Sequence, residues 1–261
     1  MANCILAWRN WIDESGVALS ASSALSSLPI NNLANPILAK VYRSSSSVSP
    51  TIDIDLGAAR AAGVLGLFGH NLASGDTIRH MLSAVSAGGS ELLDTGAVAS
   101  GAQEGYAQSV KVLAASVNAR YWRIEVNAPS LSPTPGYVEI GRAFIAAAWQ
   151  PSRNFSFGSG EKWTDASLVA EAERSGAEYI DLGPRRRERS FALEFMSAAD
   201  RDQSRELDRL AGLTGQVLFI PDPNSADLQR EAILGRLKEM SPIEVTHYSV
   251  FSRSFAIVES K

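Results

Sequence analysis

Thr51-Ile52-Asp53-Ile54-Asp55-Leu56-Gly57, followed by Val64-Leu65-Gly66-Leu67-Phe68 and the loop Gly69-His70-Asn71-Leu72, is the stretch that decides how this chain folds. Ile52, Ile54 and Leu56 alternate with Asp53 and Asp55, the period-two pattern of a strand with one buried face. Gly57 is expected to end that strand, and residues 64–68 to form a second one that runs into the loop. Upstream, Asn35-Pro36, Tyr42-Arg43-Ser44 and a serine-rich turn lead into it. Downstream, Ala119-Arg120-Tyr121-Trp122-Arg123-Ile124-Glu125-Val126 supplies another alternating strand.

Around this centre the first half reads as short strands separated by turn chemistry. Residues 4–8, 17–20, 77–85, 92–93, 110–113 and 137–145 have strand character, with Gly88-Gly89 and Pro133, Pro135 and Gly136 turning the chain. Pro29 and Pro36 keep residues 26–35 irregular. Strands at intervals of about ten residues without a helical period predict a jelly-roll-like β-sandwich over residues 1–150. The pattern changes at Gln150-Pro151-Ser152-Arg153, where the domain boundary is expected. Residues 151–261 then read as strands, one helix and further strands, an α+β arrangement. Phe191, Leu193 and Phe195 mark a strand. Ser197 with Asp200 three residues later marks a helix start, and Leu207, Leu210 and Ala211 give its apolar stripe, with Gly212 at its end. A chain of 261 residues fits two such domains.

Composition narrows the function classes. The net charge is −4, from 24 basic and 28 acidic residues, so nothing draws the whole chain to nucleic acid. Cys4 is the single cysteine and excludes an intrachain disulfide; before Ile5 and Leu6 it reads as a small buried strand residue. The N-terminus shows neither a basic nor an apolar leader segment, and no apolar run approaches the roughly 20 residues of a spanning helix, so a soluble cytosolic product is expected.

These strands and loops together resemble the discoidin-like, galactose-binding-like β-sandwich found in structural proteins of tailed bacteriophages. The second half has an order of its own: the 191–195 strand, the helix, Gly215-Gln216-Val217-Leu218-Phe219-Ile220-Pro221-Asp222-Pro223, Ile233-Leu234-Gly235-Arg236-Leu237 and a last strand ending Ile257-Val258-Glu259-Ser260. It resembles the tube-type domain of phage distal-tail and tail-hub proteins, a β-sandwich with one flanking helix. The two resemblances span about residues 3–148 and 153–260, in the reverse of the usual distal-tail order. They imply a non-catalytic structural component near the distal end of a tail, made in the host bacterial cytoplasm. Its partners would be further copies of itself in a ring (a hexamer, with a trimer as alternative), the tail tube protein and hub or baseplate proteins, with no membrane and no sequence-specific nucleic acid. Cell-surface glycan is the alternative partner, for a lectin-like reading of the first domain.

Candidate sites follow from residue chemistry. His70, His80 and His247 lack the spacing of a zinc motif, and no cofactor is expected. His70-Asn71 in a strand-end loop has the hydrogen-bonding groups to hold a sugar, but the plainer expectation is that both bond loop backbone. Trp8 and Trp11 have rings for sugar stacking, with core burial the plainer expectation. Asp53 and Asp55 share one strand face and are read as a solvated face rather than a cation site. Gly158-Ser159-Gly160-Glu161-Lys162 lacks the spacing of a phosphate loop and is read as a turn. Pro184-Arg185-Arg186-Arg187-Glu188-Arg189 is a dense basic run before the strand at Phe191. It is read as a solvated edge, with Arg185, Arg186, Arg187, Arg189 and Phe191 as the candidate subunit interface.

Overall fold

The computed structural model describes residues 2–261, and the chain is mainly β, with one helix of three turns or more among the described residues. It divides into two compact units. The first comprises the residues up to Gln150 together with Leu218–Ala232; the second comprises Pro151–Val217 and Ile233–Lys261.

The spine of the first unit is a ladder of two long antiparallel strands, Thr51–Phe68 and Gln108–Asn127, running from Thr51↔Glu125 to Phe68↔Gln108. Gly57 therefore does not end a strand. It takes φ +73, the register shifts between Asp55 and Arg60, and the strand continues through the irregularity. A residue without Cβ adopts this conformation at no steric cost, and such bulges bend a strand without breaking it. In the same way, the two strands expected at 110–113 and 119–126 are one, with a further shift opposite Ala62 and Val64.

Each half of the ladder carries its own outer strands. Ala18–Ala21 pairs with Ile52 to Asp55 and Thr77–Ser86 with the 121–127 stretch, whereas Arg142–Ala146 pairs with Val64 to Phe68. Ile52, Ile54 and Leu56 from one half share a single core with Leu65, Leu67 and Ile145 from the other, around the fully buried Trp122. Two layers closing on one core are a β-sandwich. Each large aliphatic side chain buried there contributes about 1.5–3 kcal/mol.

The expected domain limits need one correction, since the 218–232 stretch packs with the first unit. Ile5, Leu6 and Ala7 pair antiparallel with Ile220, Phe219 and Leu218. The Gln108 amide donates to the carbonyls of Gln229 and Ala232 at 2.5 and 2.8 Å, and the Gln229 side chain accepts from the Val110 N–H at 2.6 Å.

In the second unit, Ile233–Leu237, Val250–Glu259, Arg185–Met196 and Gly160–Asp165 lie side by side in that order, with Glu244–His247 hairpinned onto Val250–Glu259. The helix Ala198–Leu210 starts at the expected box. Ser197 Oγ accepts from the Asp200 N–H at 3.2 Å, and the Asp200 carboxylate accepts from the Ser197 N–H at 3.1 Å. Ser204 and Leu207 turn inward, and the buried Arg253 donates to Ser204 Oγ at 2.7 Å and Asp208 at 2.6 Å, tying helix to sheet. Leu168–Glu171 and Glu178–Asp181 form a separate two-stranded hairpin.

Candidate functional site

The strand-end loop is a structural clamp. Burial of His70 pushes its imidazole down to about 4, and its Nδ1 accepts the Leu72 N–H at 3.3 Å. The Asn71 amide donates to the Tyr137 carbonyl at 3.0 Å and accepts from the Glu139 N–H at 2.9 Å. Both side chains are thus committed to backbone and do not converge on an open pocket. Trp8 packs edge-on against Trp149 with ring centroids 5.8 Å apart. Trp11 donates from its indole to the Ala61 carbonyl at 2.7 Å and lies between the Arg9 and Arg60 guanidinium groups, 4.8 and 5.3 Å from its ring. The four residues Trp8, Trp11, His70 and Asn71 therefore do not form one sugar site.

Asp53 and Asp55 do share a face, but each is held by a bidentate arginine. Arg123 bonds Asp53 at 2.6 and 2.8 Å, and Arg120 bonds Asp55 at 2.7 and 2.8 Å. The Arg120 hydrogen bond holds the Asp55 carboxyl below the usual carboxylate range. The expected solvated face is therefore an ion-paired ladder. Among the described residues no group of three or more His, Cys, Asp or Glu is placed to hold a metal ion. Two buried polar residues have no counterpart in the sequence reading. Arg142, fully buried, bonds Asp13 at 2.5 and 2.7 Å, and Asn10 clamps the Ala143 carbonyl and the Ile145 N–H. Nothing local marks either one, because their partners lie more than a hundred residues away.

A groove of about 500 Å³ lies on the first unit, lined by the polar residues Ser49, Thr51, Thr77, Arg79, Glu125 and Asn127 together with Ala97 and Val126. Arg79, one of the lining residues, is held by Asp94 at 2.6 and 2.9 Å and by Glu125 at 3.1 Å. The hydrogen bonds from Arg79 bring Asp94 down to about 2.

The basic run Arg185, Arg186, Arg187 and Arg189 splits by strand alternation. Arg187 is buried and bonds Glu259 at 2.6 and 3.0 Å, and Phe191 is buried with its ring stacked on Phe255 at 5.2 Å. Burial opposes ionisation of Glu259, yet the Arg187 hydrogen bonds hold its carboxyl below the usual range. Arg189 pairs with Glu161, and Arg185 with Asp165. Arg187 and Phe191 are therefore core residues and not interface residues; the period-two alternation points them inward. Arg186 lies on the other face and has no carboxylate partner among the described residues.

Exposed apolar surface is distributed unequally. Of the large hydrophobic side chains standing in solvent, Ile37, Val85, Leu92 and Val98 belong to the first unit, and the other thirteen to the smaller second unit. They concentrate on the hairpin, where Leu168, Val169, Tyr179 and Ile180 are 59–69% exposed, and at its base, where Leu182 is 81% exposed. Every residue of both hairpin strands is exposed. A solitary two-stranded hairpin is marginal in water, and apolar patches of this kind mark interaction surfaces.

No protein-family model matches the chain, and no curated protein sequence does. Solved structures match part of the chain at low identity. A Ruminococcus gnavus GH29 fucosidase in complex with fucose matches at 14% identity and a TM-score of 0.43 over 54% of this chain and 27% of that one, so the likeness spans about a quarter of the fucosidase. The family 32 CBM from Clostridium perfringens NanJ in complex with galactose matches at 11% identity and 0.43, over 54% of this chain and 99% of its own. A Streptococcus pneumoniae fucose binding module matches at 9% identity and 0.41, over 53% and 98%.

Proposed function

We propose that this chain is a non-catalytic structural protein whose second unit associates with further copies of itself, as a component near the distal end of a tailed-phage or tail-derived particle. The observation that carries the reading is the exposed hairpin Leu168–Glu171 and Glu178–Asp181, whose apolar side chains stand in solvent among the described residues. Burying them between copies offsets the cost of holding so much apolar surface in water, at about 25 cal/mol per Å². Repetition of one such contact around an axis closes a ring. A tail tube protein and hub proteins would be its neighbours, and the virion its location. Sedimentation velocity on the purified chain tests the association, and electron microscopy of tails lacking this protein tests the location. Association with loss of the tail tip in its absence supports the reading; intact, infective tails without it contradict it.

A second reading is attachment to cell-surface glycan through the first unit. The feature that favours it is the groove lined by Ser49, Thr51, Thr77, Arg79, Glu125 and Asn127, in which Arg79 bonds Glu125. Such a groove offers several donors and acceptors to sugar hydroxyls, though it lacks the aromatic wall of a stacking site. Glycan-array binding lost in Arg79→Ala would favour this reading, and absence of binding to any glycan would count against it.

A further inference from the structure

The second unit carries two surfaces of complementary charge at different places on the chain. The first is one face of the hairpin. Residues directly opposite in an antiparallel ladder share a face. Val169↔Ile180 and Glu171↔Glu178 therefore lie together, an apolar pair beside two carboxylates that confront each other. Like charges directly opposite destabilise a ladder unless a cation lies between them. Neither glutamate, nor the nearby Glu173, has a cationic partner among the described residues, and all three are exposed.

The second surface is the outer face of the main sheet. The helix covers the face that holds Phe251, Arg253 and Phe255, so the alternate residues look outward. Along that face Arg236, Val258, Glu188 and Lys162 form one cross-strand row, and Ser190 with Ala256 and Ala192 with Ser254 form the next two. The small side chains leave a shallow floor for a second sheet to approach, as in face-to-face sheet packing. Glu188 is held by Lys162 at 3.3 Å and Lys238 at 2.8 Å, which leaves Arg186 and Arg236 without a carboxylate among the described residues.

We propose that the hairpin of one copy lies across this outer sheet face of a second copy. Val169 and Ile180 cover the floor of small residues there, and Glu171 and Glu178 meet Arg186 and Arg236. The proposal rests on the self-association argued above and names its two surfaces. Charge complementarity selects the occupant: the sheet face has two cations in want of partners, and the hairpin has glutamates that repel each other without one. A nucleic acid is the competing occupant of a cationic face, and the test includes it.

Two variants test this by sedimentation velocity: a hairpin variant with Glu171→Lys, Glu173→Lys and Glu178→Lys, and a face variant with Arg186→Glu and Arg236→Glu. Each alone is expected to associate about tenfold or more weakly than the unaltered chain, because attraction becomes repulsion at every contact. An equimolar mixture is expected to associate again, since each reversed surface then finds its opposite. If the unaltered chain associates and both variants associate equally well, these surfaces are wrong while self-association stands. If the unaltered chain stays monomeric, both readings fall. If the face variant loses binding to a fluorescent DNA duplex while its self-association is unchanged, the face belongs to nucleic acid and the proposal is overturned. Should a variant fold poorly by circular dichroism, chains carrying Ile180→Cys and Ser254→Cys, mixed with a short bis-maleimide, provide the second measurement. A mixed covalent dimer is expected, and its absence contradicts the contact.

Discussion

The chemistry of single residues in this chain is governed by whether alternation turns them inward. Arg187 and Arg186 are neighbours of the same type with opposite fates. Arg187→Ala would take from the buried Glu259 its buried partner and is expected to cost about 3–5 kcal/mol, whereas Arg186→Ala, at a half-buried side chain without a carboxylate partner among the described residues, should stay within about 0.5 kcal/mol of the unaltered chain, both read from urea denaturation. The buried histidines give the first unit a pH dependence of definite sign. Burial brings both His70 and His80 down to about 4, and His80 Nδ1 accepts the Trp122 indole N–H at 3.3 Å. An unfolded histidine titrates near 6.5, so below that pH the unfolded state binds more protons and stability falls. Stability should be flat above about pH 7 and drop by about 2 kcal/mol per histidine at pH 5, as measured by urea midpoints at the two pH values. At this scale the sequence was a partial guide. The backbone-bonding roles of His70 and Asn71 are legible from a loop at a strand end, but Asn10 and Arg142 are not, because their partners come from distant strands.

At the scale of elements, period-two alternation and capping chemistry were legible, and continuity was not. The helix start at Ser197 and Asp200 follows from local hydrogen bonding alone. Gly57 carries the opposite lesson. A glycine with positive φ marks a turn or a bulge equally well, and only pairing to Gln108–Asn127 makes it a bulge within one strand. A Cβ there would lie 2.9 Å from the Gly16 carbonyl oxygen and strain the backbone as well. Gly57→Ala is therefore expected to destabilise the chain by about 1–3 kcal/mol, visible as a drop in Tm of several degrees by calorimetry. Little change would mean that the bulge relaxes freely. The hairpin is the other case. Nothing in Leu168-Val169 or Tyr179-Ile180 says that these two strands pair with each other or that their side chains stay exposed.

At the scale of the whole molecule, a sandwich rich in ion pairs is joined to a second unit whose apolar surface stands exposed. The first unit pairs Asp53, Asp55, Asp94 and Asp13 with arginines. The second leaves the hairpin in solvent. That asymmetry is why self-association through the second unit is the central claim, and why charge and composition alone did not reveal it. The most direct test is sedimentation velocity across a concentration series, comparing the unaltered chain with a Val169→Ser, Tyr179→Ser, Ile180→Ser variant. These side chains lie in solvent in the single chain, so the variant should keep the unaltered circular dichroism spectrum. The account predicts that the unaltered chain sediments as a concentration-dependent oligomer and the variant as a monomer. A strict monomer at every concentration for the unaltered chain, or an oligomer indifferent to the three substitutions, would contradict it.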